Sequence, residues 1–140
     1  MYRALMCAAC HRFNGEGGSI GPDLTGSANR YTHRDLMENI IDPGKVISDQ
    51  YGSHEITMQD GSVVLGKIVA EDDGKVIVMT NPFAPQHQLT LAEADIAKKE
   101  PRKVSMMPSG LINALNEQEL LDLIAYLLSG GDEKNKMFTD

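Results

Sequence analysis

The sequence has no tryptophan, and its 140 residues include only two cysteines. A zinc site needs two further ligands beyond such a pair, and the chain offers neither a second cysteine pair nor an H-x-x-x-H motif. No apolar run approaches the length of a membrane-spanning helix, so we expect no membrane span. A chain of this length can form one domain with a substantial core, or two very small ones.

Positive charge is also scarce. The chain has 13 Lys and Arg residues against 20 Asp and Glu residues, which gives a formal net charge of −7. An acidic surface repels phosphate backbones, and this argues against nucleic-acid binding. The same surface favours a protein partner with a basic docking surface.

The two cysteines belong to the pentapeptide Cys7-Ala8-Ala9-Cys10-His11, which is the attachment sequence of c-type haem. Two thiols three positions apart on one helical turn can each add to a vinyl group of the same porphyrin, and the adjacent His11 can bind the iron. A thioredoxin-like redox pair is the alternative, but no strand precedes this motif. We therefore expect one haem c, bound covalently through Cys7 and Cys10.

Helical patterns occupy both ends of the chain. Residues 2–11 contain neither Gly nor Pro and predict a short first helix. A second helix is expected to begin at Thr32, a good N-cap, and to stop at Pro43. The last helix is expected to begin near Asn116, where Glu119 completes a capping box.

Between these helices, residues 50–99 show the alternation that is typical of β-strands. Asp60-Gly61 and Asp73-Gly74 are hairpin turn signals, and Gly66 would allow a strand to bend sharply. Four or five short strands predict a small antiparallel sheet or an SH3-like barrel. Because some strands are apolar on both faces, we expect one face to close on itself. The other face would meet the haem domain or a second chain, which makes a homodimer through this module possible.

The second axial position of a haem iron needs a ligand besides His11. Three other histidines, His33, His54 and His87, and eight methionines are available. The histidines are expected to be ordinary surface or strand residues. His33, in a first helical turn, is the strongest rival among them.

Two methionines differ from most of the others, of which Met37 fits a helix core and Met58 and Met79 fit strand cores. Met106 and Met107 lie in residues 103–108, where no periodicity is visible and a loop is predicted. A loop can aim a thioether at iron without distorting a helix. Pro108 fixes its own φ and extends the residue before it, which favours Met107 as the sixth ligand.

Five segments carry a resemblance to a known family. They are C-A-A-C-H at residues 7–11, G-P-D-L-T-G at 21–26, D-P-G-K-V-I-S-D-Q-Y at 42–51, K-V-S-M-M-P at 103–108 and A-Y-L at 125–127. In this order they resemble class I cytochromes c, and more narrowly the haem-binding domain at the C-terminus of large secreted proteins of planctomycetes and their relatives.

The resemblance implies a fold and several contacts. The fold class would be α+β, a class I cytochrome c helical fold with an inserted small antiparallel β module. Pro22 would offer its carbonyl to the Nδ1–H of His11, and Leu24 would lie in the haem-binding segment. The first and last helices would cross, with Leu5 meeting Leu123 and Tyr126.

The expected organisation has three parts. Residues 1–49 and 100–131 would form the haem domain, residues 50–99 the inserted β module, and residues 132–140 a flexible tail. Cytochrome c assembly of this type takes place outside the cytosol, so we expect a periplasmic or otherwise exported protein, and the sequence reads as a mature or excised piece of it.

The expected function is one-electron transfer between redox proteins, with His11 and Met107 as axial ligands. A six-coordinate iron has no open site for a substrate, so we do not expect an enzyme. Two alternatives stay open. A labile Met107 would permit small-ligand binding or peroxidase-like chemistry, and the chain could also be an electron-acceptor or docking module of a larger dehydrogenase.

Overall fold

The computed structural model describes residues 1–132 and 134–138. Backbone contacts divide the chain into two compact units, Met1–Lys45 with Pro108–Asp140, and Val46–Met107. We call them the helical unit and the β unit. The predicted tail falls partly outside the described residues, which exclude Glu133, Thr139 and Asp140; within it, Lys136–Phe138 forms a 3-10 turn.

Short elements build the helical unit. Its α-helices and strands are α1 (Cys7–Cys10), β1 (Arg12–Phe13), β2 (Glu16–Gly17), α2 (His33–Ile41) and α3 (Glu117–Leu128). Strands β1 and β2 form an antiparallel hairpin. Short 3-10 turns at Ser27–Asn29 and Leu111–Ala114 connect the longer elements.

Both longer helices begin with the caps that the sequence predicts. The side chain of Thr32 accepts a hydrogen bond from the backbone N–H of Asp35, and Asp35 reciprocates. Asn116 and Glu119 form the same capping box at the start of α3. Each box satisfies two backbone donors that a helix N-terminus otherwise leaves unpaired.

The predicted first helix over residues 2–11 is wrong in its extent, because only Cys7–Cys10 is α-helical. Met6 adopts a left-handed conformation with φ of 61° and ends the preceding turns. His11 is already extended, with φ of −106° and ψ of 137°. Tyr2 is buried in the core, so tertiary packing of its ring outweighs the helix propensity of its neighbours.

A leucine-rich core with three aromatic rings fills the helical unit. Its fully or largely buried members are Tyr2, Phe13, Leu36, Leu123, Ile124, Leu127 and Leu128. The apolar stripe of α3 supplies four of them, as its helical period predicts. Leu5, Cys7 and Leu24 pack against this core from the attachment segment and the loop after it.

The β unit is a five-stranded antiparallel sheet. Its strands are β3 (Gly52–Met58), β4 (Val63–Asp72), β5 (Lys75–Met79), β6 (Gln88–Ala92) and β7 (Ile96–Ser105), in the spatial order β6-β5-β4-β3-β7. The chain therefore mixes helices with an antiparallel sheet, which confirms the α+β class. An SH3-like closure of this sheet stays a prediction.

Gly66 is the point at which β4 changes partners. Before it, the strand pairs with β3, and from Lys67 onward it pairs with β5. A Cβ atom on Gly66 would lie 2.5 Å from the carbonyl oxygen of Met79 and 2.7 Å from Cγ1 of Val78. Only glycine permits this close approach of two backbones.

The predicted loop over residues 103–108 is partly wrong, since β7 continues to Ser105. The alternation of apolar and polar residues expected of a strand is not visible in this part of β7, because the register with β3 shifts between Gly52 and Ser53. The Ser53 hydroxyl donates a 2.8 Å hydrogen bond to the carbonyl of Val104, which holds the irregular end of the strand. The strand also passes residue 99, the predicted end of the β module, whose assignment as an insertion stays a prediction.

Among the residues that the structure describes, no helix is both long and apolar enough to cross a bilayer.

Candidate haem-binding site

Cys7 and Cys10 are the first and last residues of α1, so one helical turn carries both thiols. Both side chains are half-buried, and neither forms a disulfide. Burial raises the pKa of the Cys7 and Cys10 thiols. A redox-active pair of the thioredoxin type needs a lowered thiol pKa, so the structure disfavours that alternative.

The imidazole of His11 is held through one of its two ring nitrogens. Its Nδ1 lies 2.8 Å from the carbonyl oxygen of Pro22, which is the contact that the resemblance implies. An Nδ1–H that donates to this carbonyl leaves the lone pair on Nε2, the form that binds a metal. Burial lowers the pKa of His11, and the bond to Pro22 offsets part of this effect, so the neutral ring is favoured.

Gly21 lies directly against the His11 ring. A Cβ atom at this position would come within 2.6 Å of Cε1 and 2.8 Å of Nδ1 of that ring. The backbone N–H of Gly21 also donates a 2.9 Å hydrogen bond to the carbonyl of Cys10. The segment before Pro22 is therefore held to the attachment helix and sets the orientation of the histidine.

The β1–β2 hairpin supports α1 from another side. The N–H of Gly18 donates a 2.9 Å hydrogen bond to the carbonyl of Ala8. Asn14 has φ of 50° and Gly15 φ of 82° at the turn, the left-handed pair that a two-residue hairpin requires. The Asn14-Gly15 dipeptide is a hairpin signal from which no hairpin was predicted above.

Three aromatic rings tie the attachment segment to α3. The Phe13 and Tyr126 ring centroids lie 5.0 Å apart, and Tyr2 lies within 5.8 Å of both. The Tyr2 hydroxyl donates a 2.8 Å hydrogen bond to the carbonyl of His11. Burial, followed by the nearby Cys7, raises the pKa of Tyr2 to about 12, which keeps this donor protonated.

Leu24 anchors the segment after Pro22. Its side chain is half-buried against the core of the helical unit, and its N–H donates a 2.8 Å hydrogen bond to the carbonyl of Arg12. Ser27, fully buried, donates its hydroxyl to the carbonyl of Leu127 in α3. The loop over residues 18–27 is thus fixed by backbone and side-chain bonds at both ends.

Met107 is the last residue of the β unit, in a bend after β7. Its N–H donates a 3.1 Å hydrogen bond to the hydroxyl of Ser105, and its side chain is half-buried. Ser105 was not predicted from the sequence, although a serine hydroxyl often bonds a backbone N–H two residues later in a turn. The structure groups Cys7, Cys10, His11, Pro22 and Leu24 in the helical unit, and Met107 as the iron ligand stays a prediction.

The rival histidines differ in their surroundings. His33 is the exposed first residue of α2, and His87 is exposed in the loop before β6. His54 lies in β3, where its Nδ1 is buried without a hydrogen-bond partner. Within the described ranges, no group of three or more His, Cys, Asp or Glu side chains is placed to hold a metal ion.

An open groove of about 470 Å³ lies elsewhere on the helical unit, beside Ala8 and Ala9. The rings of Tyr2, Phe13 and Tyr126 line it. Neither the two cysteines nor His11 contribute to its wall. The groove is therefore distinct from the side of α1 that carries the haem-attachment chemistry.

With this geometry in place, comparison with known proteins defines the class. A family model of cytochrome c matches residues 1–78, more than half of the chain, and the chain belongs to the cytochrome c family. No curated protein matches the chain. The family implies a covalently attached haem c and electron transfer, and Cys7 and Cys10 are the two cysteines available for attachment. The match ends inside β5, so Met107 and α3 lie outside it.

Proposed function

We propose that this protein is a monohaem cytochrome that carries one electron between redox proteins, with His11 and Met107 as the axial ligands of its iron. The observation that carries the proposal is the contact between His11 Nδ1 and the Pro22 carbonyl beside the two attachment cysteines. A haem c, when bound, supplies an iron that changes by one electron between ferric and ferrous forms.

The helical unit would do the work of binding and orientation. Cys7 and Cys10 supply the thiols for two thioether bonds, and the fixed loop from Gly21 to Leu24 holds the histidine. The hydrogen bond to Pro22 raises the basicity of Nε2 and fixes the tautomer. Glycine at position 21 leaves room for the His11 ring, since a side chain there would clash with it.

Met107 is the proposed second axial ligand. Its support is its place in a bend before Pro108 and the bond of its N–H to Ser105 Oγ. This bond limits the conformations of the bend, which reduces the entropy that a thioether loses on binding iron. Ser105 is thus proposed to be a positioning residue for Met107.

The partner is proposed to be a redox protein that presents a basic surface. The support is the formal net charge of −7, since opposite charges steer two proteins toward encounter. We further propose a periplasmic or otherwise exported location, because this type of haem attachment takes place there. We propose an electron carrier rather than an enzyme, because Met107 would fill the sixth coordination position of the iron.

Covalent attachment is tested by acid denaturation and extraction into organic solvent. We expect the haem to stay with the polypeptide, and the variant Cys7→Ser with Cys10→Ser to retain none. Haem that leaves the unmodified chain would refute the attachment, and with it the assignment of the motif.

The axial ligand is tested with a matched pair of variants. Met107→Ala should abolish the weak near-infrared band of iron–thioether coordination and let carbon monoxide bind the reduced protein, whereas Met106→Ala should do neither. Ser105→Ala should weaken the band, since one lost hydrogen bond is worth ~1 kcal/mol, or roughly fivefold in population. Ser105→Thr should restore it. The reverse behaviour of the two methionines would reassign the ligand.

A further inference from the structure

The two edges of the β unit differ in how well they are protected. One edge is β7, whose sequence from Lys98 includes Lys99, Pro101, Arg102 and Lys103. Charged side chains and proline are the means by which proteins prevent an edge strand from pairing with another chain. The other edge is β6, with the sequence Gln-Leu-Thr-Leu-Ala, which has neither a charge nor a proline.

The hydrogen-bond phase of β6 shows which backbone groups face the open edge. The N–H of Glu93 donates a 2.8 Å bond to the carbonyl of Gly74, and Leu91 and Leu89 follow at alternate positions opposite Val76 and Val78. Hydrogen-bonded pairs alternate along an antiparallel ladder. The N–H and C=O groups of Gln88, Thr90 and Ala92 consequently point away from β5.

The side chains of β6 are arranged so that the strand complements itself. In an antiparallel pair of two β6 strands centred on Thr90, Gln88 would face Ala92 of the second copy, and Leu89 would face Leu91 of the second copy. Leu89 and Leu91 share the sheet face of Val78 and Val76, since they pair with those residues directly. Both valines are fully buried, whereas Leu89 is 45% exposed.

We propose that β6 is a self-association edge, which pairs in antiparallel fashion with β6 of a second copy of this chain. The pairing would satisfy the outward backbone groups at Gln88, Thr90 and Ala92. It would also extend the buried face of the sheet across the two copies, because each exposed Leu89 would be covered by a leucine of the other copy. This inference does not depend on how the haem is ligated.

Two features set the strength of the association. Two five-residue strands bury a small area, which is typical of weak and transient contacts. The two copies also carry like charge, and a net charge of −7 on each opposes their approach. The dimer is therefore favoured by high protein concentration and by added salt, whereas docking to a basic redox partner is weakened by salt.

The test is sedimentation equilibrium of the haem-loaded protein from micromolar concentration up to about 1 mM, at low and high salt. We expect the mean mass to rise toward that of a dimer with concentration, and more so at high salt. Thr90→Pro should abolish the rise, because its N–H faces the open edge and the change removes no bond of the β5–β6 ladder. Leu89→Lys should abolish it as well.

Leu121→Lys is the matched control, since Leu121 is a 56% exposed leucine on α3 and lies outside the proposed interface. It should associate as the unmodified protein does. Hydrogen exchange of the unmodified protein gives an independent readout, in which the Thr90 amide becomes protected as concentration rises. A mass that stays monomeric throughout, or a dimer that survives both β6 variants, would overturn the proposal.

Discussion

The helical unit and the β unit bury their apolar residues in different ways. In the helical unit, four residues of α3 pack with Tyr2, Phe13 and Leu36 into one core beside the cysteines. In the β unit, the buried cluster consists of Ile56, Val76 and Val78, and Met79 is fully buried outside that cluster. Side-chain packing thus contributes most of the stability of the helical unit. In the β unit, backbone hydrogen bonds between strands contribute a larger share.

The surfaces of the two units do not differ in this way, because the helical unit also leaves large apolar side chains more than 40% exposed, namely Met1, Met6, Ile41, Leu121, Met137 and Phe138. The β unit leaves several large apolar side chains more than 40% exposed, namely Val46, Val63, Leu65, Val69, Phe83, Leu89 and Val104. A five-stranded module with so small a core gains stability when another surface covers such residues. The comparison teaches that the two units differ in the size of their buried clusters rather than in the number of apolar side chains that they expose.

Gly66→Ala should have the largest effect on stability, and it should act on the β unit. The added Cβ would lie 2.5 Å from the carbonyl oxygen of Met79, a backbone atom that cannot rotate away. Overpacking of this kind costs typically ~1–3 kcal/mol of unfolding free energy. Denaturant unfolding followed by far-ultraviolet circular dichroism measures this loss, and the covalent haem content should not change.

Gly44→Ala is the matched control for this substitution. Its added Cβ would meet only Asp42 Oδ1 at 3.6 Å, which is an ordinary contact. The change should be neutral or slightly stabilising, because alanine restricts the unfolded chain. Equal losses in the two variants would mean that the close approach at Gly66 is not what limits the sheet.

The sequence was sufficient to predict most elements but not all their ends. The α2 and α3 caps are local signals between residues three positions apart, and both were predicted at the correct residue. The strands before and after Asp60-Gly61 and Asp73-Gly74 were predicted for the same reason. Strand β7 was missed as a separate strand, because a register shift and an edge position conceal its alternation.

The candidate site shows the same division between local and long-range information. The spacing of Cys7, Cys10 and His11 identified the attachment helix, because a single helical turn depends only on residues that are close in sequence. The hydrogen bond from Tyr2 to the His11 carbonyl and the bond from Ser27 to Leu127 could not be predicted, because they depend on the fold. The first helix is shorter than predicted for the same reason. Tyr2 is buried by contacts with Phe13 and Tyr126, and these contacts also depend on the fold.

Gly21→Ala should lower the stability of the helical unit by less than Gly66→Ala lowers that of the β unit. Its effect on haem ligation should be the larger of the two. The atoms that the new Cβ meets belong to the His11 ring, a side chain that can shift. We expect a loss of ~1 kcal/mol or more of unfolding free energy, together with a weaker Nδ1–Pro22 bond and a lowered occupancy of His11 on the iron. Visible absorption and the reduction potential report the ligation, and Gly66→Ala should leave both unchanged.

Glu38→Gln should have the smallest effect, and it should depend on pH. Glu38 of α2 forms ion pairs with Lys45 at 2.7 Å and with Arg34 at 2.9 Å. The hydrogen bonds from Lys45 and then Arg34 lower the pKa of Glu38 from 4.5 to about 2. Because the folded state holds the ionised form more strongly, this contribution is present above pH 4.5 and is lost as pH falls toward 2.

The measurement is the melting temperature of the Glu38→Gln variant and of the unmodified protein between pH 7 and pH 2.5. We expect the variant to melt slightly lower at pH 7, and the difference to shrink as the pH falls below about 4.5, since protonated Glu38 and Gln are alike in charge. Added salt should reduce the difference at pH 7, because the pairs are partly exposed and screened. A difference that is constant over this pH range would mean that the ion pairs of α2 contribute nothing, and that its capping box and apolar face alone hold this helix.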